Sequence, residues 1–126
     1  MSWQVYVDQQ LLGSGKVKEA AICSLEGNIW ARSAGFEAST EELKKLVATF
    51  QHTQDAAQNG LFLGNKKYFF LRSTEDTVYG KWGEDGFVAM QTNICLIVAI
   101  FTKPVSAAEC ATAVGRIVDY LKSAGY

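Results

Sequence analysis

The sequence predicts an α+β domain, a central antiparallel sheet of six to seven strands covered by helices on each face. Three observations carry the prediction. Short apolar segments joined by tight polar turns run from Leu61 to Phe101, and strands so closely joined are antiparallel, since a parallel crossover needs about a dozen residues. Within that meander, Ile94 to Phe101 is one continuous apolar run, the pattern of a central strand buried on both faces. Helical periodicity appears at both ends of the chain and once more before the meander.

Each element has its own signal. Ser2 is a suitable N-cap for a first helix running to Leu12, and Gly13-Ser14-Gly15 stops it. Glu19 to Leu25 and Ile29 to Arg32 form a hairpin around Glu26-Gly27-Asn28. Ser39-Thr40-Glu41-Glu42 opens a second helix, its early acids suiting the helix dipole, and Leu43, Leu46, Val47 and Phe50 form its apolar stripe. After Gln58-Asn59-Gly60 come strands at Leu61 to Leu63, Lys67 to Arg72, Val78 to Trp82, Phe87 to Gln91 and Ile94 to Phe101. The turns between them are Gly64-Asn65, Ser73 to Asp76, Gly83 to Gly86 and Thr92-Asn93. Past Pro104 a last helix spans Ser106 to Ser123, with Cys110, Val114, Ile117 and Leu121 as its core stripe.

Composition narrows the function classes. A chain of 126 residues, 48% hydrophobic and 20% charged, suits one compact domain over its whole length. A net charge of -1 argues against nucleic acid, which needs a basic face. Cys23, Cys95 and Cys110 are odd in number and widely spaced, which predicts buried reduced thiols. Met1-Ser2-Trp3-Gln4 lacks the form of a signal peptide and no apolar run is long enough to span a bilayer, so a cytoplasmic protein is expected. The one histidine, His52, reads as a helix-end surface residue. No phosphate loop, dinucleotide fingerprint, metal-ligand spacing or catalytic constellation is visible, so neither an enzyme nor a cofactor is expected.

The aromatic residues are distributed unusually. Trp3 and Tyr6 are three apart and share one helix face; Tyr120 lies off the core stripe of the last helix; Trp30 is on the second strand and Tyr126 ends the chain. Each ring alone could be core filler. Together, if the terminal helices pack side by side, they line a groove. Such a groove suits polyproline, which is stiff before binding and offers free carbonyls to Trp N–H and Tyr O–H donors.

Ser2-Trp3-Gln4-Val5-Tyr6-Val7-Asp8 resembles the N-terminal signature of profilins. Gly27-Asn28-Ile29-Trp30-Ala31 with Ser33-Ala34-Gly35-Phe36, Val78-Tyr79-Gly80-Lys81, and Asp119-Tyr120-Leu121 with Gly125-Tyr126 resemble later stretches of that family in the same order. The similarity spans essentially the whole chain and is nearest in appearance to amoeboid and plant-like members. It implies the N- and C-terminal helices packed on one face of the sheet and internal helices on the other. It also implies a polyproline groove of Trp3, Tyr6, Trp30, Tyr120 and Tyr126, with Leu121 at its edge.

The resemblance further implies a separate face for monomeric actin, on the later strands and the start of the last helix. Lys67, Arg72, Lys81, Trp82, Thr112 and Arg116 are its candidate contacts. The expected protein is a regulator of filament assembly that binds actin monomers and proline-rich proteins such as formins at once, promotes nucleotide exchange on actin, and works at the actin cytoskeleton and cell cortex. Relatives often bind anionic phosphoinositides through paired basic residues. Here Lys81 is followed by Trp82 and then by Glu84 and Asp85, so weak headgroup binding is expected. The alternative reading is a small-molecule-sensing α+β domain without actin binding, which would need an internal cavity with convergent polar groups.

Overall fold

The computed structural model describes residues 2–126. Seven strands form one antiparallel sheet: β1 (Glu19–Ser24), β2 (Ile29–Arg32), β3 (Leu61–Leu63), β4 (Lys66–Ser73), β5 (Thr77–Trp82), β6 (Asp85–Gln91) and β7 (Cys95–Phe101). Their order across the sheet is β2-β1-β7-β6-β5-β4-β3. The meander from β3 to β7 follows sequence order because each turn is short, and β1 joins its far edge by pairing with β7, Ala21 opposite Val98.

β7 is apolar on both sides because both sides are covered. Cys95, Ile97, Ala99 and Phe101 face one core; Leu96 and Val98 face the other. The first core is closed by the N-terminal helix, through Val7 and Leu11, and by α4 (Ala107–Ser123), through Cys110, Val114, Val118 and Leu121. The second is closed by α2 (Thr40–Thr49), through Leu43 and Leu46, and by the short α3 (Gln54–Asn59), through Ala56. The terminal helices therefore share one face and the internal helices the other.

Two elements differ from the sequence reading. The N-terminal helix α1 is not a regular α-helix to Leu12. It opens at Trp3–Val5, where the Ser2 hydroxyl accepts from the Val5 amide at 3.2 Å. It widens to π geometry over Tyr6–Leu11 and closes in a 3₁₀ turn over Leu12–Ser14. Gly15, at φ +76°, ends it, as the glycine pair predicts. The second difference is α3, which has no apolar stripe of its own and buries only Ala56. Periodicity cannot reveal a six-residue helix of this kind.

Glu42 joins the two layers. It closes the capping box of α2, the Ser39 amide donating to its Oε1 at 2.9 Å. The same carboxylate accepts from the amides of Gly64 at 2.8 Å and Asn65 at 3.1 Å, holding the β3–β4 turn, where Asn65 has φ +63°. Burial alone would raise its pKa, but the amides of Ser39, Asn65 and Gly64 outweigh that and hold it below the ordinary value of 4.5.

In the second core Phe87 crosses directly over Gly80, where an added Cβ would lie 2.1 Å from a ring carbon, and it meets Tyr68 edge-on at 5.2 Å. Cys23, Cys95 and Cys110 are buried and unpaired. Burial pushes the thiols of Cys23 and Cys110 up to about 12. His52 is exposed just past α2.

Two predictions concern stability. Gly80→Ala forces Phe87 out of place and is expected to cost about 1–3 kcal/mol or more in urea unfolding. Gly115→Ala, on α4 with no neighbour nearer than Met90 Cε at 4.0 Å, should instead gain about 0.5–1 kcal/mol. Because the folded pKa of Glu42 is depressed, its contribution is fully present above about 4.5 and is lost as pH falls through the folded value. Glu42→Gln should therefore lower stability at pH 7 and flatten its decline below pH 4.5, read from urea midpoints across pH.

Candidate functional site

Where α1 and α4 lie side by side, five aromatic rings meet. Trp3 is their hub. Its ring centroid lies 5.1 Å from Trp30, 5.7 Å from Tyr126 in an edge-on contact, and 5.9 Å from Tyr6. Tyr6 continues the row to Tyr120 at 6.2 Å. Trp30, Tyr120 and Tyr126 are exposed, while Trp3 and Tyr6 are half-buried and pack on the core.

Local contacts hold the rings in place. Gln4 Nε2 donates to the Arg32 carbonyl at 2.7 Å, fastening α1 beside β2 and so Trp3 beside Trp30. At the other terminus Gly125, at φ +95°, turns the chain back, and the Tyr126 amide donates to the Leu121 carbonyl at 2.9 Å. The Asn93 amide donates to the Tyr126 carbonyl at 3.0 Å. The last residue is thus clamped against the β6–β7 turn. Partial burial and the neighbouring hydroxyls of Tyr120 and Tyr126 raise the Tyr6 phenol above its ordinary value, so it stays a neutral O–H donor at pH 7.

A polyproline helix advances about 3.1 Å per residue, so each step between neighbouring rings matches about two residues. The groove therefore offers a short proline segment flat aromatic faces to pack on, and rim hydroxyls and indole N–H groups to donate to its carbonyls. Leu121 is the exception among the predicted residues. It is 0% exposed, inside the core with Val118, and has no surface for a ligand. A residue that repeats with Cys110, Val114 and Ile117 has to face the sheet, and the same periodicity takes Leu121 out of the groove.

The second candidate surface is more divided. On the α1/α4 side of the sheet, α4 packs over β6 and β7 and the N-terminal helix beside β1 and β2, while Phe69 and Leu71 of β4 and Lys81 of β5 stay exposed. Lys81 stands opposite Phe69, and Arg72 stands opposite Tyr79 with its guanidinium 4.4 Å from the ring centre. Lys67 joins this face, its ammonium 5.6 Å from the Phe69 ring. Phe69 and Leu71 are 63% and 53% exposed, and Leu71 shares a depression with Lys81, Val105 and Ala107 at the start of α4. Sequence reading names neither residue, since nothing within the strand Lys67 to Arg72 records how far a helix reaches over it.

Three predicted residues lie apart from this surface. Trp82 neighbours Lys81 in the strand and therefore points to the opposite face of the sheet, where the Lys66 ammonium sits 4.2 Å from its ring centre. Thr112 and Arg116 are on the flank of α4 turned towards α1. Thr112 lines a depression with Lys16 and Glu109, and Arg116 lines a cleft with Tyr6, Gln10 and Tyr120. Lys122, which pairs with Asp76 of the β4–β5 turn at 3.3 Å, marks the other flank. The turn acid Glu84 is paired with Lys103 at 3.2 Å, which offsets part of its charge near Lys81. Among the described residues, no group of His, Cys, Asp and Glu could hold a metal, and no helix is long and apolar enough to cross a membrane.

The chain matches the profilin family model over residues 1–126. It is 42% identical over 126 residues to a profilin of Drosophila melanogaster and 38% identical over 127 residues to that of Schizosaccharomyces pombe, in both cases covering 100% of each chain. The crystal structure of Acanthamoeba castellanii profilin II superimposes with a TM-score of 0.95 at 34% identity, covering 99% of this chain and 100% of that one. Mouse profilin IIa, solved in complex with a double repeat from the FH1 domain of mDia1, shares the fold at 24% identity, with a TM-score of 0.84 and complete coverage of both chains. On its sequence, its sheet order and its terminal aromatic cluster, this chain belongs to the profilin family.

Proposed function

We propose that this profilin binds monomeric actin on one face and proline-rich segments, such as those of formins, on the other, and so regulates actin filament assembly. The observation that carries the proline half is the five-ring cluster between the two termini, open to solvent at Trp30, Tyr120 and Tyr126. That mouse profilin IIa is solved with an FH1 repeat supports the choice of partner. A few stacked rings and hydrogen bonds suffice for micromolar binding, which needs only about -8 kcal/mol.

Family membership carries the actin half, and the exposed parts of β4 and β5 supply a surface for it. Exposed Phe69 and Leu71, ringed by Lys67, Arg72 and Lys81, combine apolar area with a cationic rim. Lys81 and Arg72 are the charges best placed there; Trp82, Thr112 and Arg116 lie apart from them. Promotion of nucleotide exchange on actin and a place in the cytoplasm, at the cytoskeleton and cortex, belong to the same reading. We read the protein as a binding module without an enzymatic activity. Phosphoinositide headgroups should bind weakly, because Lys81 is followed by an indole in place of a second cation and then by the acids Glu84 and Asp85. A small-molecule sensor is not favoured.

Two substitutions test the two halves. Trp3→Ala should abolish retention on polyproline resin and leave actin affinity within about twofold, since distant sites act independently. Equal loss of both activities would make Trp3 purely structural. Lys81→Glu should weaken actin binding about fivefold or more in a pyrene-actin titration while leaving resin retention intact. An unchanged titration would reduce Lys81 to a solvated charge.

A further inference from the structure

Asn59-Gly60, where α3 ends, is the only Asn-Gly pair in the chain. The other asparagines, Asn28, Asn65 and Asn93, precede Ile29, Lys66 and Ile94. A side chain on the following residue hinders the approach of that residue's backbone nitrogen to the asparagine carboxamide. Glycine offers no such hindrance and leaves the backbone free to bend. The Gly60 nitrogen is therefore the one best able to attack an asparagine Cγ. The fold also depends on this glycine. Gly60 has φ +79°, and an added Cβ would lie 2.8 Å from Lys67 Cε and 2.9 Å from the Tyr68 carbonyl oxygen.

Two hydrogen bonds hold the reacting groups apart. The Gly60 amide donates to the Ala56 carbonyl at 2.8 Å. The Asn59 side chain turns back along the helix, its Nδ2 donating to Asp55 Oδ1 at 2.8 Å, so its carboxamide points away from Gly60. Both bonds belong to α3. That helix has six residues, buries only Ala56 and, among the described residues, has no side-chain cap at Thr53. So short a helix is marginal by itself and opens locally without unfolding the sheet. Asn59 is exposed, so water reaches it.

We propose that Asn59 is a site of spontaneous deamidation gated by the opening of α3. In the open state the Gly60 nitrogen gives up its proton to solvent and bonds to Asn59 Cγ. The Cγ–Nδ2 bond then breaks, and the side-chain nitrogen takes up a proton and leaves as ammonia. The cyclic imide that remains is opened by water at either of its carbonyls, leaving aspartate or isoaspartate at position 59. Nothing is oxidised or reduced, and water is the only co-reactant. The product opposes closure of the helix. A carboxylate replaces the amide that donated to Asp55, so a hydrogen bond becomes a like-charge pair on one helix face. The new charge also sits at the negative end of the helix dipole. α3 packs on β4, so an aged chain loses part of the cover of that edge of the sheet.

The test ages the whole protein at mildly alkaline pH and maps its peptides by mass spectrometry. The expected result is a gain of a single mass unit confined to the peptide that holds Asn59 and Gly60, with isoaspartate among the products. Asp55→Ala removes the acceptor of the Asn59 amide at an exposed position. It should speed the gain about threefold while tryptophan fluorescence stays native. Asn59→Asp reproduces one of the products and should lose hydrogen-exchange protection at the Gly60 amide, with the amides of β6 and β7 unchanged. If the folded wild-type protein keeps its mass while urea-unfolded protein gains the unit, the fold closes the site and the proposal is overturned. Equal rates in the wild type and Asp55→Ala would overturn the gating by α3.

Discussion

β7 sets the conditions for everything else. From Cys95 to Phe101 it presents apolar side chains to both sides of the sheet, so neither side can be left to water. Each side needs its own helical layer. The two termini supply one layer and the segment between β2 and β3 supplies the other. The terminal layer consists of two helices side by side, and two consequences follow. A seam runs between them, and they are too narrow to cover the full width of a seven-stranded sheet.

Both proposed binding surfaces arise from those consequences. The seam collects rings from α1, β2, α4 and the last residue, which no single element could bring together. The uncovered width leaves β4 and the Lys81 end of β5 open on the same side, with Phe69 and Leu71 exposed among cations. α4 stands between the two. Its flank towards α1 carries Arg116 and Tyr120, and its other flank carries Lys122, tied to the β4–β5 turn. The two surfaces therefore lie on opposite flanks of α4, which packs on β6 and β7 between them.

Much of this was legible in the residues. The seven strands, the order of the turns and the stripes of α2 and α4 follow from period-two and period-3.6 patterns that burial enforces. The rings of the groove were legible because Tyr120 breaks its helix's stripe and Trp3 and Tyr6 share a face. Two misreadings went against local periodicity, and the rest depends on long-range placement. Trp82 looked like a neighbour of Lys81, yet adjacent strand residues face opposite ways. Leu121 was read both as core and as groove edge, and helical periodicity allows only the first. The exposure of Phe69 and Leu71 depends on how far α4 reaches across the sheet, which no local pattern records. The same is true of Arg116, whose surroundings are set by the packing of α1.

The central claim is that the two surfaces are separate and independently occupied. The most direct test is the affinity for actin monomers measured with and without saturating decaproline, with the complex followed by sedimentation. Separate faces predict an actin affinity unchanged within about twofold and a ternary complex that contains all three components. An apparent actin affinity that falls in proportion to added decaproline would mean a shared surface, and would contradict the account.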